Sequence, residues 1–182
     1  MNYRSLNKTK IIFLFLGGMS ALLLICLAAL YLFIAPARYK SAVHSNAKEF
    51  GLDSRLVYAV IRTESNFRAD ARSKAGAIGL MQITPLTAEF IRKSMGEPLD
   101  PEQPEENIRM GCWYLRYLSE KFSGMTEILS AYNAGEGTVR SWLAREELLS
   151  ESGTLQQIPY PETRRYVQRV KNFYNCYKLL YD

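Results

Sequence analysis

The sequence predicts an all-α domain preceded by one apolar N-terminal helix. Three observations predict it: hydrophobic residues recur at helical spacing from about residue 41 to the end, no alternating run reaches strand length, and helix start and stop residues punctuate the chain. At 182 residues there is room for one ordinary domain with a proper core.

The elements follow in order. Residues 1–10 form a short basic tail. From Ile11 to Ala35 no side chain is charged, and Leu, Ile, Phe and Ala predominate. A helix over 11–35 would span roughly 37 Å at about 1.5 Å per residue, enough to cross a hydrocarbon core of about 30 Å with some tilt. That apolar stretch exceeds the roughly 7–15 residues typical of a cleaved signal peptide, although Ala35-Pro36-Ala37 has the small residues of a cleavage site. Cys26 follows Ile25, where a lipid-attachment site wants a small residue, so it reads as a buried membrane cysteine. Residues 36–40 link this anchor to a domain over 41–182.

Within that domain a helix runs from about Ser41 to Phe50 and stops at Gly51. Asp53 or Ser54 caps the next, which carries Leu56, Val57, Val60 and Ile61 on one face. A loop with Gly76 and Gly79 follows, and Thr84-Pro85 opens another helix as N-cap and first helical residue. After a connection over Gly96 to Pro104 come a helix with Ile108, Cys112, Leu115 and Leu118, and one with Ile128, Leu129 and Tyr132 that ends at Gly135. A short helix holds Val139 and Trp142, and Arg145 to Pro159 make a polar excursion. The last helix begins near Pro161 and carries Tyr166, Val170, Phe173 and Tyr177.

Charge excludes one class of function. Arg4, Lys8, Lys10, Arg38 and Lys40 account for the whole excess of 23 bases over 18 acids, so residues 41–182 are neutral. The basic balance belongs to the membrane anchor, and no nucleic-acid surface is expected. Flanking bases give only a slight preference for the amino terminus inside. The sole histidine, His44, has no ligand partners in sequence, and there is no zinc spacing, phosphate loop or Ser/His/Asp set. No metal or cofactor is expected. A secreted domain can pair Cys112 with Cys176, while two buried free thiols in helices fit as well.

One residue breaks its stripe. After 56, 57, 60 and 61 the next position on that face is Glu64. A carboxyl on the buried side, at a helix carboxyl end, has its pKa raised by desolvation and by the negative pole of the macrodipole. That suits a general acid at neutral pH. Helical phase alone leaves open that Glu64 turns to solvent or pairs with Arg62 or Arg68.

Four segments resemble, in order, the lytic transglycosylase family of the lysozyme-like superfamily: Glu64-Ser65-Asn66-Phe67, Gly76-Ala77-Ile78-Gly79-Leu80-Met81-Gln82, Ala131-Tyr132-Asn133-Ala134-Gly135 and Glu162-Thr163-Arg164-Arg165-Tyr166-Val167. Asn107-Ile108 with Gly111 and Tyr114-Leu115 is similar to the helix before the third segment. The resemblance covers about residues 41–180. Ala69 departs from it, standing where many members have proline.

The resemblance implies a lysozyme-like fold with Glu64 as catalytic acid and Ser65 holding it in place. It implies sugar contacts from Gly79, Met81, Gln82, Tyr132 and Asn133, with Tyr166 near the acid and Glu162 toward the peptide stem or a neighbouring sugar. Ser73 is a candidate for the muramic acetamido group. On local grounds Gly79 is a turn, Met81 a core residue, Tyr132-Asn133 a helix end and Tyr166 a packed tyrosine. Ordinary glycosidases use two carboxylates, and Asp53 and Asp70 suit capping or surface duty better than catalysis.

The implied reaction cleaves the MurNAc-(β1,4)-GlcNAc bond of peptidoglycan and leaves 1,6-anhydro-MurNAc ends. The implied partners are glycan strands and, through residues 11–35, a lipid bilayer. The implied place is the bacterial cell membrane, with the catalytic domain extracytoplasmic. The alternatives are a goose-type lysozyme-like hydrolase and a non-catalytic peptidoglycan-binding protein.

Overall fold

The computed structural model describes the backbone of residues 3–181 and the side chains of residues 8, 10–25 and 35–181. The chain divides into two compact units, Met1–Pro36 and Ala37–Asp182. The first is one helix, α1 (Tyr3–Ile34), so the helix starts within the expected basic tail rather than after it. Its large apolar side chains from Ile11 to Ile25 are all exposed, between 55% and 76%. Among the described residues no helix is long and apolar enough to cross a membrane. The side chains of residues 26–34, which complete the expected 11–35 span and include Cys26, lie outside the described residues.

The second unit is helical, with three isolated β-bridges and no strand among the described residues. Its helices are α2 (Lys40–Glu49), α3 (Ser54–Glu64), α4 (Pro85–Met95), α5 (Pro104–Lys121), α6 (Met125–Ala134), α7 (Glu136–Leu143) and α8 (Pro161–Leu180). Local chemistry sets several starts. The Asp53 carboxylate accepts from the Arg55 N–H, and the Thr84 hydroxyl from the Thr87 N–H with proline at the first turn. Such a cap is worth about 1 kcal/mol over alanine. Gly96 ends α4 in the left-handed region, at φ 71°.

The packing of α3 on α8 positions the site. Val57, Val60 and Ile61 of α3 and Val170 and Tyr177 of α8 are buried. The Tyr177 ring stacks on Tyr58 at 5.4 Å, and the Tyr174 hydroxyl donates to Asp53 at 2.8 Å. Helices α5 and α6 complete the core with Ile108, Leu115, Leu118 and Leu129, each nearly or wholly removed from water. Burial of one such side chain stabilises by about 1.5–3 kcal/mol. An ion-pair knot holds α2 to α5, with Arg109 bonded to Glu49 at 2.7 Å and to both oxygens of Glu97 at 2.8 Å.

Two expectations need correction. Phe173 does not join the core stripe of α8: it is half-buried and lines a surface pocket beside Glu64. The excursion over 145–159 is less polar in structure than in composition, because Leu148, Leu155 and Ile158 are buried. A bridge pairs Leu149 with Leu155, and the Leu155 N–H donates to the buried Glu127 carboxylate at 2.7 Å. Cys112 is buried in α5, Cys176 is half-buried in α8, and both are free thiols.

Candidate active site

Glu64 is the last residue of α3, where the helix presents unpaired carbonyls and the negative pole of its dipole. The chain then reverses sharply. Asn66 and Phe67 both take left-handed backbone, at φ 54° and 61°. Asparagine tolerates this, but phenylalanine pays about 1–2 kcal/mol. The burial of Phe67, only 2% exposed, offsets that strain. Ser65 is buried within the turn. Its hydroxyl donates to the Leu80 carbonyl at 2.8 Å, with a longer contact to Ile61 at 3.2 Å. The acid's helix end is thereby tied to the glycine loop.

That loop is built around Asn107, a fully buried residue of α5. Its carbonyl oxygen accepts from the Met81 N–H at 2.7 Å, and its amide donates to Ile78 at 2.9 Å and Pro101 at 2.8 Å. Gly79 has φ 79° and lies so close to this amide that any Cβ would collide with it. Gln82, itself at φ 50°, turns its amide back on the loop and donates to the carbonyls of Ala71 and Gly79. Met81 has no exposed surface, and its side chain packs on Gly111. The apolar surface expected of Met81 toward a sugar is therefore turned into the core, and its backbone takes part instead. The Met81 carbonyl accepts from the Tyr132 hydroxyl at 2.8 Å.

Tyr132 from α6 and Tyr166 from α8 meet Glu64 at this point. Burial pushes the Glu64 pKa up to about 7, against the opposing pull of the Tyr166 hydroxyl and the Arg169 guanidinium. The hydroxyls of Tyr132 and Tyr166 are themselves held well above their ordinary pKa, first by burial and then by the nearby Glu64 charge. Both stay neutral donors. The Tyr166 hydroxyl is buried beside the Glu64 carboxyl and is the first of the groups that draw its pKa down.

Glu64 also lines an open pocket of about 480 Å³ with Ser65, Asn66, Arg68, Arg169 and Phe173 among its walls. No other carboxylate lines it. Two larger clefts, of about 550 and 580 Å³, lie at Tyr39–Arg109 and at Gln156–Lys171 and contain neither Glu64 nor the tyrosines.

Of the residues singled out from sequence, Glu64, Ser65, Gly79, Met81, Gln82, Tyr132 and Tyr166 fall into one connected cluster. Three others stand outside its hydrogen bonds. The Ser73 hydroxyl is exposed and accepts from the Ala77 N–H at 3.0 Å, closing a local turn. Asn133 and Glu162 are exposed, and their side chains make no hydrogen bond or ion pair among the described residues. Sequence reasoning gave no role to Asn107 or Arg169. Asn107 carries the same signal that exposed Glu64, a polar residue on an apolar stripe, here ahead of Gly111, Leu115 and Leu118. Arg169 carried no signal, since an arginine on an outer helix face is ordinary.

The comparisons with known proteins agree in direction. The family model described as the Transglycosylase SLT domain matches residues 41–152. The soluble lytic murein transglycosylase of Escherichia coli K12 is 41% identical over 123 residues, covering 62% of this chain and 18% of that protein. Membrane-bound lytic murein transglycosylase C of Haemophilus ducreyi is 37% identical over 116 residues, covering 56% of this chain and 32% of its own. Among solved structures, an inactive mutant of the lytic transglycosylase Slt from Pseudomonas aeruginosa superposes with a TM-score of 0.72 at 37% identity, over 80% of this chain and 25% of that one. The 70 kDa soluble lytic transglycosylase of Escherichia coli gives 0.73 at 32% identity, with the same coverage. This chain thus spans less than half of the length of such curated relatives, from 18% to 42%.

Proposed function

The chain belongs to the transglycosylase SLT family, and from that premise we propose that it is a peptidoglycan lytic transglycosylase with Glu64 as its single acid and base. The observation that carries the reading is a glutamate whose pKa is raised to about 7, in a pocket lined by no second carboxylate. Near neutral pH about half of such groups hold a proton, as a general acid requires. A two-carboxylate hydrolytic mechanism has no partner for Glu64 in that pocket.

Protonated Glu64 gives its proton to the oxygen joining C1 of N-acetylmuramic acid to C4 of N-acetylglucosamine. The C1–O bond breaks and the glucosamine leaves as an alcohol. The acetamido oxygen of the muramic residue supports the positive C1 as an oxazolinium. The Glu64 carboxylate then takes the proton of the muramic 6-hydroxyl, whose oxygen closes on C1 as the bond from C1 to the acetamido oxygen breaks and the acetamide is restored. The product carries a 1,6-anhydro ring and Glu64 ends protonated, so protons balance without water, metal or cofactor.

Ser65 holds the acid's helix end through Leu80, while Tyr132 and Tyr166 line its approach. Asn133 and Glu162, exposed and unbonded, suit contact with sugar or stem, and Ser73 with the acetamido group. Gly79 and Gln82 shape the wall that the sugar meets. The exposed apolar side chains from Ile11 to Ile25 suit lipid better than water, which supports a single-pass anchor over 11–35 with the catalytic domain on the outer, wall-facing side of a bacterial membrane.

Mass spectrometry of sacculi digested with residues 41–182 tests the reaction. Anhydro-muramic ends are expected. Reducing muramic ends would overturn the choice of acceptor in favour of a hydrolase, and intact sacculi with bound protein would make the domain a binding module.

A further inference from the structure

Beside Glu64, the pocket at the carboxyl end of α3 is walled by three guanidinium groups, those of Arg62, Arg68 and Arg169. Arg62 lies over the Phe173 ring at 5.4 Å, which shapes that wall. Arg68 donates from Nε to the Ser65 carbonyl at 3.2 Å, and its two terminal nitrogens make no hydrogen bond among the described residues. Arg169 is exposed, with no hydrogen bond or ion pair among the described residues. Several other arginines sit against acids, among them Arg72 against Glu102, Arg116 against Glu120, Arg140 against Glu136 and Arg145 against Glu147. The pocket has cations and no acid but Glu64, the one group that must hold its proton for the first step.

Both Arg68 and Arg169 are left to solvent, with no acid of the pocket but Glu64 near them. The Arg169 charge favours ionised Glu64 and so opposes its protonation, alongside the hydroxyl of Tyr166. An anion seated between Arg68 and Arg169 would cancel that pull. The pocket is open, borders the acid and has room for a peptide segment. On muramic acid the peptide stem hangs from the 3-lactyl group, two ring carbons from the C1 that is cleaved. Its free carboxylates are the anions that would arrive here with the substrate. Guanidinium groups pair with carboxylates in forked geometry, which a neutral amide does not match.

We propose that Arg68 and Arg169 bind a carboxylate of the peptide stem on the muramic residue being cleaved, so that the enzyme selects stems with free carboxylates over amidated or missing ones. The inference rests on the proposed function and names the substrate that the same site prefers.

Three glycan preparations of matched length test it: stems with free carboxylates, the same stems amidated, and glycan stripped of stems. They would be given to the wild-type protein, to Arg169→Gln and to Arg68→Gln/Arg169→Gln. For the wild type, KM is expected to be about five- to tenfold lower on free carboxylates than on either other substrate, with the preference shrinking as salt rises. The variants are expected to lose the preference, to within about twofold for the pair. Arg169→Gln removes no hydrogen bond of the described fold, so a folding defect does not cloud its result. A wild type indifferent to amidation would overturn the proposal, as would a preference that survives in the double variant. Anhydro products from all three substrates without discrimination would leave the proposed function standing and this inference refuted. Absence of products from every substrate would sink the proposed function instead. Calorimetric binding of free and amidated muropeptides to Glu64→Gln, which needs no turnover, would then still decide stem recognition by the same criterion.

Discussion

The two ends of α3 carry two carboxyls, each faced by a tyrosine of α8, and the fold treats them in opposite ways. Asp53 caps the amino end, where free N–H groups and the positive pole favour a carboxylate. Burial works against it, but hydrogen bonds from the Arg55 side chain, the Tyr174 hydroxyl and the Arg55 backbone outweigh burial and hold its pKa below the ordinary value. Glu64 closes the carboxyl end, among free carbonyls and the negative pole. Burial raises its pKa to about 7, and the Tyr166 hydroxyl and the Arg169 charge do not reverse that. The difference lies in position on the helix and in the balance of burial against donors: hydrogen bonds outweigh burial at Asp53, and burial outweighs the hydroxyl and the charge at Glu64.

The largest effect expected from this contrast is on turnover. Glu64→Gln should lower kcat for release of anhydro-muropeptides by about 10³-fold while sacculus binding persists. Asp53→Ala should leave kcat within about twofold at a temperature where the variant is folded. A Glu64→Gln protein retaining a tenth of wild-type activity would end the assignment of Glu64 as the acid.

Stability should respond with opposite pH dependence at the two ends. The folded-state pKa of Glu64 lies above its unfolded value of 4.5, so the folded state binds the extra proton. Its contribution is fully present below about pH 4.5 and is lost as pH rises through about 7. Glu64→Gln should therefore stabilise the domain by about 2–3 kcal/mol at pH 8 and by little at pH 4, read from urea melts. For Asp53 the folded-state pKa is depressed, so its contribution is present above the unfolded value of 3.8 and is lost as pH falls through the lower, folded one. Asp53→Ala should cost about 1–2 kcal/mol at pH 7 and less in acid. Parallel pH profiles for the two variants would break the contrast.

A smaller effect is expected at the tether of the catalytic end. Ser65→Ala removes the hydroxyl bond to Leu80, at a cost of about 1 kcal/mol in stability. Because the same bond orients the turn bearing Glu64, kcat should fall about tenfold with KM unchanged. A fall in stability alone would make Ser65 structural only.

Legibility in the sequence also differed between the two ends and their surroundings. Asp53, Thr84-Pro85 and Pro161 announce helix starts because capping is chemistry within a few residues. Glu64 was visible as the carboxyl that continues the stripe of Val57, Val60 and Ile61. The left-handed backbone at Phe67 and Gln82 was not, since nothing in a phenylalanine or glutamine demands positive φ and the surrounding packing imposes it. Asn107 was invisible as a hub because its partners at Ile78 and Met81 lie 29 and 26 residues away in sequence. Met81 lies in the core, as its local reading has it and against what the resemblance implies, drawn inward by the space at Gly111; Phe173 instead leaves the expected core stripe for the pocket that Arg62 covers.

The finest distinction rests on one oxygen atom. At the amino end of α3 the Tyr174 hydroxyl donates to Asp53 at 2.8 Å and helps to outweigh burial, whereas the Tyr166 hydroxyl beside Glu64 does not outweigh it. Tyr166→Phe should change stability little, because the ring still fills its buried place. It should still alter catalysis. Without the hydroxyl, burial of Glu64 meets less opposition, so its pKa moves upward from about 7. The alkaline limb of kcat/KM, which reports loss of the catalytic proton in the free enzyme, should shift to higher pH. Tyr174→Phe should leave that limb in place and destabilise the domain at neutral pH by removing a donor to an ionised Asp53. If Tyr166→Phe leaves the limb unmoved, the hydroxyl does not act on the acid, and the two tyrosines of α8 differ in packing rather than in how they set a proton.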